Sequence, residues 1–126
     1  MNYLEIEIFD KVYQFKFGMG FMREVNKLVS KPVDGVPGVK QNIGLQYTLE
    51  QIIDGDVEAL IEALVIANKG CEPRITRTKL DEHVEDESTD VDELFDKVKD
   101  FLRTANVTKK VMNTLLTVVE QIQEEK

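Results

Sequence analysis

Tyr3-Leu-Glu-Ile-Glu-Ile-Phe-Asp-Lys-Val-Tyr-Gln-Phe-Lys-Phe17 is the stretch on which the fold turns. Leu4, Ile6 and Ile8 alternate with Glu5 and Glu7, the period of two expected of a strand with one buried face. Asp10-Lys11 reads as a tight turn, and residues 12–17 return as a second strand with Tyr13, Phe15 and Phe17 inward. A two-stranded hairpin is marginal alone, so this one requires helices packed on its apolar face.

The rest of the chain supplies them. Gly18 and Gly20 break the strand, and Phe21, Val25, Leu28 and Val29 then follow helical spacing. That helix must end before Pro32, because a residue preceding proline disfavours the helical region. Pro32, Gly35, Pro37, Gly38 and Gly44 crowd the next segment and mark a mobile loop over about 32–44. Leu45, Leu49, Ile52 and Ile53 give a short helix ending near Gly55. Asp56 is a good N-cap for the next, with Val57, Leu60, Ile61, Leu64 and Val65 as its apolar stripe. Gly70 and Pro73 stop it.

Thr76 or Thr78 opens a weaker helix anchored only by Leu80 and Val84. Thr89 or Asp90 caps another, with Glu93 completing a capping box and Val91, Leu94, Phe95, Val98, Phe101 and Leu102 facing inward. Thr108 caps a last helix. The expectation is an α+β fold forming a single domain over 1–126. An N-terminal β-hairpin (3–17) precedes a mostly helical bundle of five to six short helices (20–124).

Composition narrows the function classes. The 126 residues are 42% hydrophobic and 32% charged, a globular balance, with net charge −8. Nine of the 24 acids fall between Asp81 and Asp96, with no Lys or Arg among them. Such a run repels phosphate backbones and anionic membrane surfaces, which argues against nucleic acid and membrane partners. No apolar stretch approaches the roughly 20 residues of a spanning helix. Nor does a basic, apolar leader open the chain, so it is expected to remain in the cytoplasm where it is made.

Motifs for chemistry are missing. Gly18-Met-Gly20 has Arg23 where a dinucleotide fingerprint needs glycine. A calcium loop from Asp86 would need glycine at Val91 and glutamate at Lys97. One histidine, His83, and one cysteine, Cys71, leave little for metal sites or acid–base catalysis. Carboxylates around His83 would favour its charged form, and Cys71 reads as a half-buried thiol. No enzyme activity and no cofactor are expected.

The last helix is the one place where a functional reading competes with core packing. Val111, Leu115, Val118 and Ile122 repeat at two-turn spacing, and Met112, Leu116 and Val119 widen the stripe. A face that broad can serve a partner or a second subunit. Val111, Leu115, Val118 and Ile122 are therefore the candidate partner or oligomer surface.

Several segments together resemble a known family. They are the hairpin with Tyr13-Gln14-Phe15-Lys16-Phe17, the helix after it and the Pro/Gly loop. Leu60 to Ala67 running into Cys71-Glu72-Pro73-Arg74-Ile75-Thr76, and Ala105-Asn106-Val107-Thr108-Lys109-Lys110, complete the set. As a layout over nearly the whole chain they resemble the tail assembly chaperones of long-tailed bacteriophages of Gram-positive hosts. The resemblance implies a non-catalytic protein of the host cell cytoplasm, absent from the mature virion. It would bind the tape measure protein and keep it soluble during tail assembly, with self-association and the tail tube protein as a further partner. The alternative from another class is an acidic protein-binding inhibitor or nucleic-acid mimic. That reading needs carboxylates spaced along an extended surface, whereas these crowd one segment.

Overall fold

The computed structural model describes residues 3–124, and side chains as far as Gln121. β1 (Leu4–Ile8) and β2 (Lys11–Phe15) pair antiparallel with Leu4 opposite Phe15, Ile6 opposite Tyr13 and Ile8 opposite Lys11. Leu4, Ile6, Ile8, Tyr13, Phe15 and Phe17 are all buried, as their alternation predicts. The turn itself is one residue earlier than expected. Phe9 and Asp10 occupy it with φ of 48° and 68°, and Lys11 already belongs to β2. Two left-handed residues in a two-residue connection match the twist of the strands they join. Keeping Ile8 on the buried face forces a phenylalanine into that conformation, which a bulky side chain adopts only under strain.

Six helices follow: α1 (Met19–Asn26), α2 (Gly44–Ile53), α3 (Val57–Asn68), α4 (Arg77–Glu85), α5 (Val91–Thr104) and α6 (Lys109–Glu124). The fold is α+β and mostly helical. Between α1 and α2 lies an element with no sequence signal. Two three-residue strands, β3 (Ser30–Pro32) and β4 (Lys40–Asn42), form a second antiparallel hairpin within what reads as a loop. Neither strand contains an apolar residue facing the core, so no alternation announces it. α1 also stops earlier than its periodicity suggests. Leu28 lies beyond its end and is 52% exposed rather than packed.

α3 sits at the centre, packed against α1, α2, α4 and β2. Leu60 and Leu64 of α3 join Phe15, Leu49, Ile52, Leu80, Val98, Leu102 and Met112 in a fully buried cluster. Asp56, Thr76 and Asp90 each accept the backbone N–H three residues on, at 3.0, 3.1 and 3.0 Å, and so open α3, α4 and α5. Thr108 does otherwise. Its buried hydroxyl donates to the Leu102 carbonyl at 2.8 Å, satisfying a group in the last turn of α5 instead of capping α6 with its side chain.

Two polar contacts hold the layers in register. Asn68, fully buried at the end of α3, donates from Nδ2 to the Gln14 and Pro73 carbonyls at 2.9 and 3.2 Å. Its Oδ1 accepts from Ile75 N–H at 2.7 Å and Arg74 Nε at 3.2 Å. At the other junction Gly44 lets α2 start against the end of α1. A Cβ there would lie 1.9 Å from the Val25 carbonyl oxygen. Asn26 Oδ1 accepts the adjacent Leu45 N–H at 3.3 Å.

Candidate partner-binding surface

α6 is fastened by its first turns. Thr108 bonds to Leu102, and Asn113 Nδ2 donates to the Arg103 carbonyl at 3.2 Å, so α6 folds back along α5. Among the described apolar side chains of α6, Met112 alone is fully buried. Val111, Leu115 and Leu116 are half-buried at the edge of the core, whereas Val118 is 47% exposed. The side chain of Ile122 lies outside the described residues. Of the four candidate residues, Val111 and Leu115 lean on the core and Val118 points away from it. Leu115, Val118 and Val119 line a shallow cavity of about 180 Å³ with Ile53, Glu50 and Asp54 of the α2 end.

The acidic run does not make one helix face. It is divided among the second half of α4, the turn at 86–90 and the first half of α5. None of its nine carboxylates is buried. Among the described residues only Asp96 pairs with a cation, Lys99 at 3.6 Å. Asp86 is engaged locally: the Ser88 hydroxyl at 2.6 Å and N–H at 2.8 Å hold its carboxyl below the usual range.

Beside this turn opens a groove of about 440 Å³. Ile6, Phe9 and Leu94 give it an apolar floor. Glu7 and Asp10 line the hairpin side, and Asp86, Asp90 and Glu93 the helical side. Phe9 meets the His83 ring edge-on, with centroids 5.9 Å apart, and Lys79 Nζ sits 5.5 Å from its centre. His83 does not behave as its acidic neighbours suggest. Burial lowers its pKa from 6.5, and the charge of Asp86 only partly opposes that shift. Desolvation wins because the carboxylates spread into solvent while the ring packs on Phe9.

Cys71 is buried, with Sγ 3.9 Å from the Ala67 carbonyl oxygen. Among the described residues no group of three or more His, Cys, Asp or Glu side chains could hold a metal ion. No described helix is long and apolar enough to cross a membrane. Sequence reasoning missed the exposed second hairpin, with Val36 and Val39 each 46% exposed. It also missed Asn68, whose neighbours Lys69-Gly70 read only as a helix stop. An asparagine ending an otherwise apolar stripe was the available signal.

No curated protein and no solved structure matches the chain. A family model described as phage tail assembly chaperone protein, TAC, matches residues 5–116. That span takes in both hairpins, the first five helices, the groove beside Phe9 and the first half of α6. The chain therefore belongs to the phage tail assembly chaperone family.

Proposed function

We propose that this protein binds the tape measure protein and keeps it soluble while the tail assembles, without catalysing a reaction. It acts in the host cell cytoplasm, is left out of the mature virion and associates with itself. The observation that carries the reading is the outer edge of α6. Val118, with half-buried Leu115 and Val119, continues an apolar strip past the point where the core ends. A holding chaperone needs accessible apolar surface joined to enough like charge to keep its complexes dispersed. The unburied carboxylates of 81–96 supply that charge on another part of the surface. The tail tube protein is a further partner on this reading, met as its subunits close around the tape measure protein.

Co-expression with the tape measure protein tests it. The partner should move to the soluble fraction and co-purify with this chain. A partner that stays equally insoluble with and without it overturns the proposal.

A further inference from the structure

We infer that the second hairpin of one copy docks into the groove beside Phe9 of another copy, giving head-to-tail association. This rests on the self-association reading above and assigns it two unlike surfaces.

The hairpin is built for an outside contact. Residues 27–42 carry three lysines, Lys27, Lys31 and Lys40, against one acid, Asp34, in a chain of net charge −8. β3 and β4 pair only with each other among the described residues, and all six of their residues are exposed. Val36 and Val39 at the tip are each 46% exposed. Lys31 lies opposite Gln41 and Lys40 opposite Pro32, adjacent pairs in the ladder, so the two lysines project from opposite faces. Neither forms an ion pair among the described residues.

The groove offers the complement. It has two acidic walls, Glu7 and Asp10 on one side and Asp86, Asp90 and Glu93 on the other, five carboxylates against Lys97 and His83 in the lining and Lys79 beside the Phe9 ring. A hairpin entering tip-first would place its valines on the apolar floor and one lysine against each wall. Charge complementarity of this kind selects the partner and fixes its orientation.

Edge-to-edge pairing of two second hairpins is the competing arrangement. Lys31 and Lys40 put a charge on each strand, and Pro32 removes a donor from β3, two features that protect edges from pairing. The unlike-surface contact wins on both counts. Because it joins different patches, it propagates into a ring or an open chain rather than stopping at a dimer.

Salt acts in two directions here, weakening the contact while relieving the overall repulsion. A charge swap is therefore the decisive test. One variant carries Lys31→Glu with Lys40→Glu, the other Glu7→Lys with Glu93→Lys, each on the full chain. Light scattering over a concentration series reads assembly, and circular dichroism melts confirm folding. Each variant alone should associate at least about tenfold more weakly than the wild type, because like charges now face each other. An equimolar mixture should recover the wild-type assembly, since each supplies the groove that the other's hairpin fits. Folded variants that assemble like the wild type, or a mixture that fails to recover, overturn this docking while leaving self-association standing. A wild type that stays monomeric throughout overturns both.

Discussion

Asn68 and Ile75 are joined by a 2.7 Å hydrogen bond from the Ile75 backbone N–H to the buried Asn68 side-chain carbonyl. With the bonds to Gln14 and Pro73, one side chain ties the end of α3 to the first hairpin and to the segment leading into α4. Replacing it with leucine leaves two carbonyls and an N–H without their partners. Asn68→Leu should lower stability by about 1–3 kcal/mol, the cost of leaving the buried Ile75 N–H unsatisfied, with a smaller part from the part-buried Gln14 and Pro73 carbonyls. Urea unfolding would show a lower midpoint with an unchanged slope; a loss below about 1 kcal/mol would contradict the account.

Gly44 and Gly20 make a paired test. Helix propensity favours alanine over glycine by up to about 1 kcal/mol in a helix interior and acts in the same direction at these two first-turn sites. At Gly20 nothing lies within 4 Å of an added Cβ, so Gly20→Ala should raise the melting temperature. At Gly44 the added carbon meets the Val25 backbone oxygen at 1.9 Å, which must push α1 and α2 apart. Gly44→Ala should lower the melting temperature by several degrees, on the scale of about 4–8 °C per kcal/mol for small domains. Equal shifts in one direction would show that the close approach is unimportant.

Leu115 and Val118 separate core from surface on one helix. Leu115→Asp places a charge against the core edge and should destabilise by several kcal/mol. Val118→Asp alters a residue already 47% exposed and should change stability by no more than about 0.5 kcal/mol. If the outer edge of α6 holds the tape measure protein, Val118→Asp still loses the solubilised partner. A Val118→Asp chain that melts normally and solubilises its partner normally would remove this edge from the binding surface.

His83 gives a pH signature. Burial lowers its folded pKa from 6.5, so the unfolded chain takes up its proton first as pH falls. The contribution to stability is fully present above about pH 6.5 and is lost as the pH falls through the folded value. The urea midpoint should therefore drop between about pH 7.5 and 5.5, and His83→Gln should flatten that drop. The depressed Asp86 carboxyl acts in the same sense, but in the acid range around its ordinary 3.8 and below. An identical pH dependence in His83→Gln would assign the effect elsewhere.

The elements legible in the sequence are those whose signal is local. Leu4, Ile6 and Ile8 declare their strand by alternation, and Asp56 and Asp90 declare helix starts by their side-chain chemistry. Thr108 shows the limit of that logic. A hydroxyl can donate as well as accept, and the open Leu102 carbonyl of the preceding helix captured it. Gly44 and Asn68 were opaque because their roles depend on groups 19 and 54 residues away. The second hairpin was opaque for a different reason: Ser30-Lys-Pro32 and Lys40-Gln-Asn42 bury nothing, so no hydrophobic period exists to read. The candidate surface was half legible. The stripe on α6 was visible, but which of its residues Met112 would carry into the core depends on how α6 folds back on α5.

The bond from Lys16 N–H to the Ala67 carbonyl, 2.8 Å, also bears on the order of synthesis. The first hairpin leaves the ribosome some fifty residues before the helix that covers it, and two strands alone are marginal in water. Ile6, Ile8, Tyr13 and Phe15 must therefore wait uncovered until α3 emerges, several seconds at about 5–20 residues per second. A member of a tail assembly chaperone family thus passes through an exposed, uncovered state of its own during synthesis.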